Sequence, residues 1–179
     1  AAKYHWDAYT NTMLLTARVN GALGAGLDDL YDNYFFAPID DTLAFNENHF
    51  GLALMFAPVY LATGNPLLAY NFVLLSSLAL SGYFTFLLVR RLTGSAAAAF
   101  VSGVSFAFCP YAMFEIGRIQ LVATQWIPLC FLFLHRAIEG KRFGDALGFA
   151  AAYALQVGTC LYYAMFIQPL IVLVGLWLI

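Results

Sequence analysis

The chain has 179 residues, 63% hydrophobic and only 10% charged, with a net charge of −2. Soluble domains carry about 25% charged residues, so a water-soluble globular fold is excluded and an all-α polytopic membrane protein is expected. The net charge itself says nothing about nucleic acid, but no basic cluster exists beyond Arg90-Arg91 and Lys141-Arg142, and no nucleic acid is expected as a partner.

The chain opens AAKYHW, without Met, and stops inside an apolar run at GLWLI. It reads as an internal fragment of a longer membrane protein. The first pattern, from Tyr9 to Leu23, is weakly amphipathic. Met13, Leu14, Ala17, Val19 and Leu23 are apolar, and Asn11, Thr16, Arg18 and Asn20 are polar. A helix over about 8–24 is expected, ended by Gly21, Gly24 and Gly26.

The stretch from Asp28 to His49 holds six of the ten acidic residues and no Lys or Arg. The forty residues that follow, Phe50 to Val89, contain no charged side chain at all. The acidic stretch is therefore a loop held at a membrane surface. Phe50 to Thr63 is apolar but too short to cross, and Pro58 stands inside it. Runs of about 10–14 apolar residues are more often interfacial or re-entrant than spanning. A helix over about 48–63 is expected to lie along or dip into the leaflet, so residues 1–66 form one loop with two juxtamembrane helices.

A spanning helix needs about 20 apolar residues. The expected spans are 67–91, 95–114, 119–137 and 144–167. Gln168-Pro169 breaks the last of them, and a fifth helix over 169–179 is cut short. Arg90-Arg91 ends the first span, and Arg136, Lys141 and Arg142 lie between the third and fourth. Two spans separate these basic sites, so both face the cytoplasm, and the acidic loop is extracytoplasmic. The three cysteines sit in apolar runs at spacings that match no metal motif, and read as small buried hydrophobes.

With this topology the polar residues collect on the outer side. Asp7, Glu47 and His49 belong to the first loop, and Asn71 lies one turn inside the first span. Arg118 and Gln120 follow in the next outer loop, with Gln125 a turn below them. Tyr162 and Tyr163 end the fourth span on the same side. Ionisable groups at membrane depth are costly and usually functional. A cluster of acids, amides and aromatics there suits a lipid-linked polar headgroup. Structural readings stand beside this one: Asp40-Asp41 as a helix cap, Glu115 and Arg118 as an ion pair, Trp126 and the tyrosines as an interfacial belt. Gln156 is nearly alone at mid-depth, which argues against a transport path.

The runs APIDDTLAFNENHFG, GNPLLAYNFVLLSSLALSGYFTFLLVRRLTGS, FAFCPY and LVATQWIPLCFLFLHRAIEG together resemble bacterial multi-pass membrane proteins of the GT-C glycosyltransferase superfamily. The resemblance implies a GT-C-like helix bundle in the bacterial cytoplasmic (inner) membrane. It also implies transfer of a sugar from a polyprenyl-phosphate-linked donor to a glycan, lipid or protein acceptor at the outer face. Where that group commonly has Gly-Asp, this chain has Trp6-Asp7, which makes Asp7 the expected general base. Glu47 would assist it or hold a metal. Arg118, with His49 or Gln120, would contact the donor phosphate. No cofactor is implied with certainty, and a divalent ion, Mg2+ or Mn2+, is left open. A non-catalytic membrane assembly factor and a lipid or polysaccharide transporter are the alternatives.

Overall fold

The computed structural model describes residues 2–24 and 49–178, with side chains from residue 7. Among them every regular element is an α-helix. Glu47 and the acidic stretch before it lie outside the described residues.

Helix α1 (Ala2–Gly24) buries Asn11, Thr12, Leu14, Leu15, Arg18 and Val19. These recur as i, i+1, i+3, i+4, i+7 and i+8, one helical face. The face differs from the apolar one expected, since Met13 and Leu23 are exposed while Asn11 and Arg18 are covered. The reason is what covers them. Asn11 meets Gln120, and the Arg18 guanidinium lies 4.5 Å over the Phe50 ring.

Helix α2 (Phe50–Thr63) starts at His49, in the left-handed region at φ 47°, and stops at Gly64, φ 65°. Gly64 donates to Tyr60 O, the single-bond end that glycine at positive φ makes available. α2 runs across the bundle. Gly51 abuts Leu155 and Thr159, Met55 meets Gln125, and Leu52 and Phe56 join Leu15, Ala69, Tyr70, Val73 and Ile119 in the main apolar core.

Helix α3 (Pro66–Thr93) is set by its ends. Asn65 Oδ1 accepts from Leu67 N and Leu68 N, Pro66 occupies the first turn, and Gly94 closes the far end at φ 71°. Helix α4 (Ala96–Ala107) is capped by Ser95 and returns antiparallel along α3. The two backbones meet at Gly82 and Gly103, where a Cβ on Gly103 would stand 2.6 Å from Gly82 O. The AAAA run at 96–99 contributes only Ala99 to this contact face.

The second span is interrupted at Phe108-Cys109, after which a short α5 (Pro110–Phe114) continues it. The third is interrupted more sharply, into α6 (Ile119–Val122) and α7 (Trp126–Gly140), with Ala123, Thr124 and Gln125 in neither helix. Helix α8 (Phe143–Thr159) runs antiparallel to α7. Arg136 pairs with Asp145 at 2.8 Å near the turn, and Gln156 reaches Ala123 at the other end.

The expected fourth span over 144–167 does not form as one helix. The chain bends at Cys160, extended at φ −154°, and α9 (Leu161–Leu178) folds back along α8, so that Gln168 donates to Tyr153 Oη at 2.7 Å. Pro169 sits inside α9 and does not end it. Proline is tolerated in membrane helices, because neighbouring groups re-satisfy the freed carbonyl.

Among the described residues four helical segments are long and apolar enough to cross a bilayer: Pro66–Thr93, Ala96–Phe114, Ile119–Gly140 and Leu161–Leu178. They define an integral multi-pass membrane protein. One end carries Arg90, Arg91, Arg136, Lys141 and Arg142. There Glu139 pairs with Arg91 and lies 3.2 Å from His135 Nδ1. The opposite end carries α1, α2 and the interrupted segments.

Candidate functional site

At the end opposite the arginines, one guanidinium joins two distant parts of the chain. Arg118 Nε donates to Asp7 Oδ2 at 2.9 Å, and its Nη1 donates to Glu115 Oε2 at 3.2 Å. The Asp7 and Arg118 side chains keep 38% and 34% of their surface open, while Glu115 keeps 10%. Both carboxylates favour the charged guanidinium. The Asp7 hydrogen bond first, then the Glu115 charge, hold the Arg118 pKa above its ordinary value. Asp7 Oδ1 and Arg118 Nη2 have no hydrogen-bond partner among the described residues.

The local chain explains this geometry. The linker between α5 and α6 makes a tight turn in which Arg118 N donates to Glu115 O at 2.7 Å. Tyr70, buried in α3, donates from its hydroxyl to Gly117 O at 3.3 Å and pins that turn. One turn along α1 from Asp7, Asn11 donates to Gln120 Oε1 at 3.0 Å. Residues i and i+4 share a helix face, so α1 docks on the linker through two side chains at once.

Asp7, Arg118 and Gln120 are thus brought together. Tyr163 stands behind them. Its hydroxyl donates to Leu121 O at 2.8 Å and meets the Tyr111 hydroxyl at 3.1 Å, so it ties α9 to α5 and α6. Tyr162, the next residue back, is exposed on the outside of α9. Asn71 is exposed on α3, apart from the cluster. His49 is buried at the start of α2. Gln125 is buried too, and its amide faces Met55 Sδ at 3.6 Å and not the open end. Glu47 lies outside the described residues.

Glu115 pairs with Arg118, as its place in the outer loop led one to expect, whereas Asn11 and Tyr70 belong to the cluster although sequence reasoning did not place them at a site. Asn11 had a readable signal, its i+4 spacing from Asp7. Tyr70 had none, because a tyrosine in an apolar run looks like core.

Among the described residues no group of three His, Cys, Asp or Glu is placed to hold a metal ion. Asp7 and Glu115 already share one cation, Arg118. The described donors therefore form no set for Mg2+ or Mn2+, and Glu47, the residue expected to hold one, lies outside the described residues.

The interior is more polar than the sequence suggests. Gln156 is not alone: Gln125, Ser77, Ser81 and Thr159 are buried with it. Compared with protein-family models, with curated proteins and with solved structures, the chain matches none.

Proposed function

We propose that this chain belongs to a membrane glycosyltransferase that moves a sugar from a polyprenyl-phosphate-linked donor to an acceptor at the extracytoplasmic face. The observation that carries the reading is Asp7. Its carboxylate is fixed through Oδ2 by Arg118, at the edge of the apolar bundle, and Oδ1 is left to accept a proton. An inverting transfer needs such a carboxylate beside the acceptor hydroxyl. It also needs a cationic donor toward the leaving phosphate, a role that Arg118 can fill through Nη2. The hydrocarbon chain of the donor has an apolar groove of about 540 Å³ along α1 and α2, lined by Val19, Leu23, Leu54 and Leu61 among others.

The test is donor binding and sugar transfer in reconstituted vesicles, with a polyprenyl-phosphate sugar as probe. Arg118→Ala is expected to weaken donor binding about tenfold or more, the usual result of losing a charge-assisted contact. Arg142→Ala, at the basic end, is expected to leave it unchanged. Equal effects of the two would remove the phosphate role from Arg118.

Orientation is a separate expectation. The arginine-rich end is cytoplasmic by the positive-inside bias. A single cysteine placed at Asp32 is expected to react with a membrane-impermeant maleimide in intact cells. Reaction only after permeabilisation would reverse the topology and with it the proposed face.

A second reading has its own observation. Arg118 pairs with Asp7 of α1 and with Glu115 beside it, which is what a structural strut between α1 and the α5–α6 linker requires. A non-catalytic assembly factor would keep that strut and consume no donor.

A further inference from the structure

Helices α3 and α4 touch backbone to backbone at one level. A Cβ on Gly103 would stand 2.6 Å from Gly82 O, and one on Gly82 would stand 3.2 Å from Gly103 O and 3.3 Å from Ala107 Cβ. Small residues at a crossing let membrane helices approach this closely. Larger neighbours stand up on either side of the contact and leave a groove of about 280 Å³ between them. Tyr83 and Phe86 of α3 and Phe100, Val104 and Phe108 of α4 line it. Tyr83, Phe100, Val104 and Phe108 are exposed, so the groove opens away from the bundle, toward lipid.

One end of the groove is charged. Leu78, Gly82 and Phe86 follow one another at i+4 spacing along α3, and Arg90 is the next position of that row. Its guanidinium lies 5.8 Å over the Phe86 ring. At this end Arg91 pairs with Glu139 and Arg136 with Asp145, while Arg90 meets no carboxylate among the described residues. An arginine can keep such a ring contact and still present its N–H fork to a phosphate. Leu78 stands twelve residues before Arg90, about 18 Å along the helix at about 1.5 Å per residue, and Phe86 stands about 6 Å before it. With Arg90 at the bilayer surface, the groove covers the depth of one leaflet, about half of a hydrocarbon core about 30 Å thick.

We propose that this groove holds one anionic phospholipid of the leaflet at the arginine-rich end, with its phosphate on Arg90 and one acyl chain laid between α3 and α4. The lining is apolar and suits a hydrocarbon chain. The cation at its mouth suits a phosphate, and the length suits a chain that enters at the surface and ends near the midplane. A zwitterionic headgroup brings a cation of its own beside the phosphate, for which Arg90 has no carboxylate nearby to match. A free anion makes no use of the groove. A partner helix would leave Arg90 without an anion unless it carried an acid at that depth, whereas an anionic lipid brings charge and chain together. The groove lies at the end opposite Asp7, and its occupant does not depend on sugar transfer.

The experiment is thermal unfolding of the detergent-purified protein, titrated with phosphatidylglycerol, with phosphatidylcholine of the same chains, and with inorganic phosphate. Phosphatidylglycerol is expected to raise Tm by about 5 °C at saturation, with a concentration dependence of single-site form, and phosphatidylcholine by about half of that or less. Phosphate alone should not raise it. Arg90→Gln removes the charge and Val104→Trp fills the groove. Each is expected to raise the half-saturating phosphatidylglycerol about tenfold. Every variant is read against its own lipid-free Tm, so a less stable one still reports. Arg142→Gln removes an equal charge from the same end, and Val172→Trp adds equal bulk to the exposed side of α9; both should leave the half-saturating lipid unchanged. Equal stabilisation by the two lipids would overturn the proposal, and a phosphate effect as large as that of phosphatidylglycerol would replace the lipid with a free anion. Arg142→Gln matching Arg90→Gln would overturn it in favour of diffuse surface charge. A lipid effect that survives Val104→Trp unaltered would place the chain elsewhere and overturn it too.

Discussion

Asp7→Asn is expected to lower sugar transfer about 10²–10⁴-fold, the usual cost of removing a general base. Asn keeps the size of Asp and an oxygen that can still accept from Arg118 Nε, now 2.9 Å away. What it loses is the ability of the other oxygen to take a proton. The fold should barely change. The Asp7–Arg118 pair is about one third exposed on both sides, and ion pairs so placed contribute little to stability. The second contact between α1 and the linker, Asn11 with Gln120, stays in place. Rate and Tm are thus read together. Loss of transfer at unchanged Tm supports the base. Wild-type turnover by Asp7→Asn, or a donor that is never consumed, removes the catalytic role and favours the strut. Asp28→Asn is the control, and should retain transfer.

The class of the molecule was readable from charge alone, because forty uncharged residues have no other place than a bilayer. Helix ends were readable where they are local. Asn65-Pro66 and Gly94 announce α3, and Ser95 announces α4, each through its own backbone chemistry. The turn at Cys160 was not readable. Gln168-Pro169 is the stronger local signal, yet α9 runs through it, since a membrane helix can accept proline and the actual bend is set by contacts to other helices. Gly158 lies against Gly51, and Tyr163 is tied to Leu121 and Tyr111. The site shows the same division. Parity placed Asp7 and Arg118 on one side of the membrane although 111 positions separate them. That they touch depends on Tyr70 pinning Gly117, which no pattern in an apolar run announces. Gln125 points inward because α6 and α7 are separate helices. A continuous helix from Ile119, as the hydropathy suggests, would not have produced the junction.

Gly51→Ala is expected to lower Tm by about 3–10 °C, from an overpacking cost of about 1–3 kcal/mol in a chain of this size. A Cβ at this position would stand 2.2 Å from Thr159 Oγ1, 2.6 Å from Leu155 O and 3.0 Å from Thr159 N. The hydroxyl can rotate away, but it already donates to Leu155 O at 2.7 Å, and the other two atoms are backbone. α2 must therefore lift from α8. Its lifting carries His49 and Phe50 with it, and Phe50 is the ring on which Arg18 of α1 rests. The effect should reach the packing of α1 and not stop at α2. Gly175→Ala is the comparison. Among the described residues nothing lies within 4 Å of a Cβ there, and the helix propensity gained is worth about 0.5–1 kcal/mol, so Tm should hold or rise slightly. Gly103→Ala belongs with Gly51, since its Cβ would meet Gly82 O at 2.6 Å. Unfolding of the three variants in one detergent decides the matter. If Gly51→Ala melts with Gly175→Ala, the close approach of α2 to α8 is not what holds α2 across the bundle.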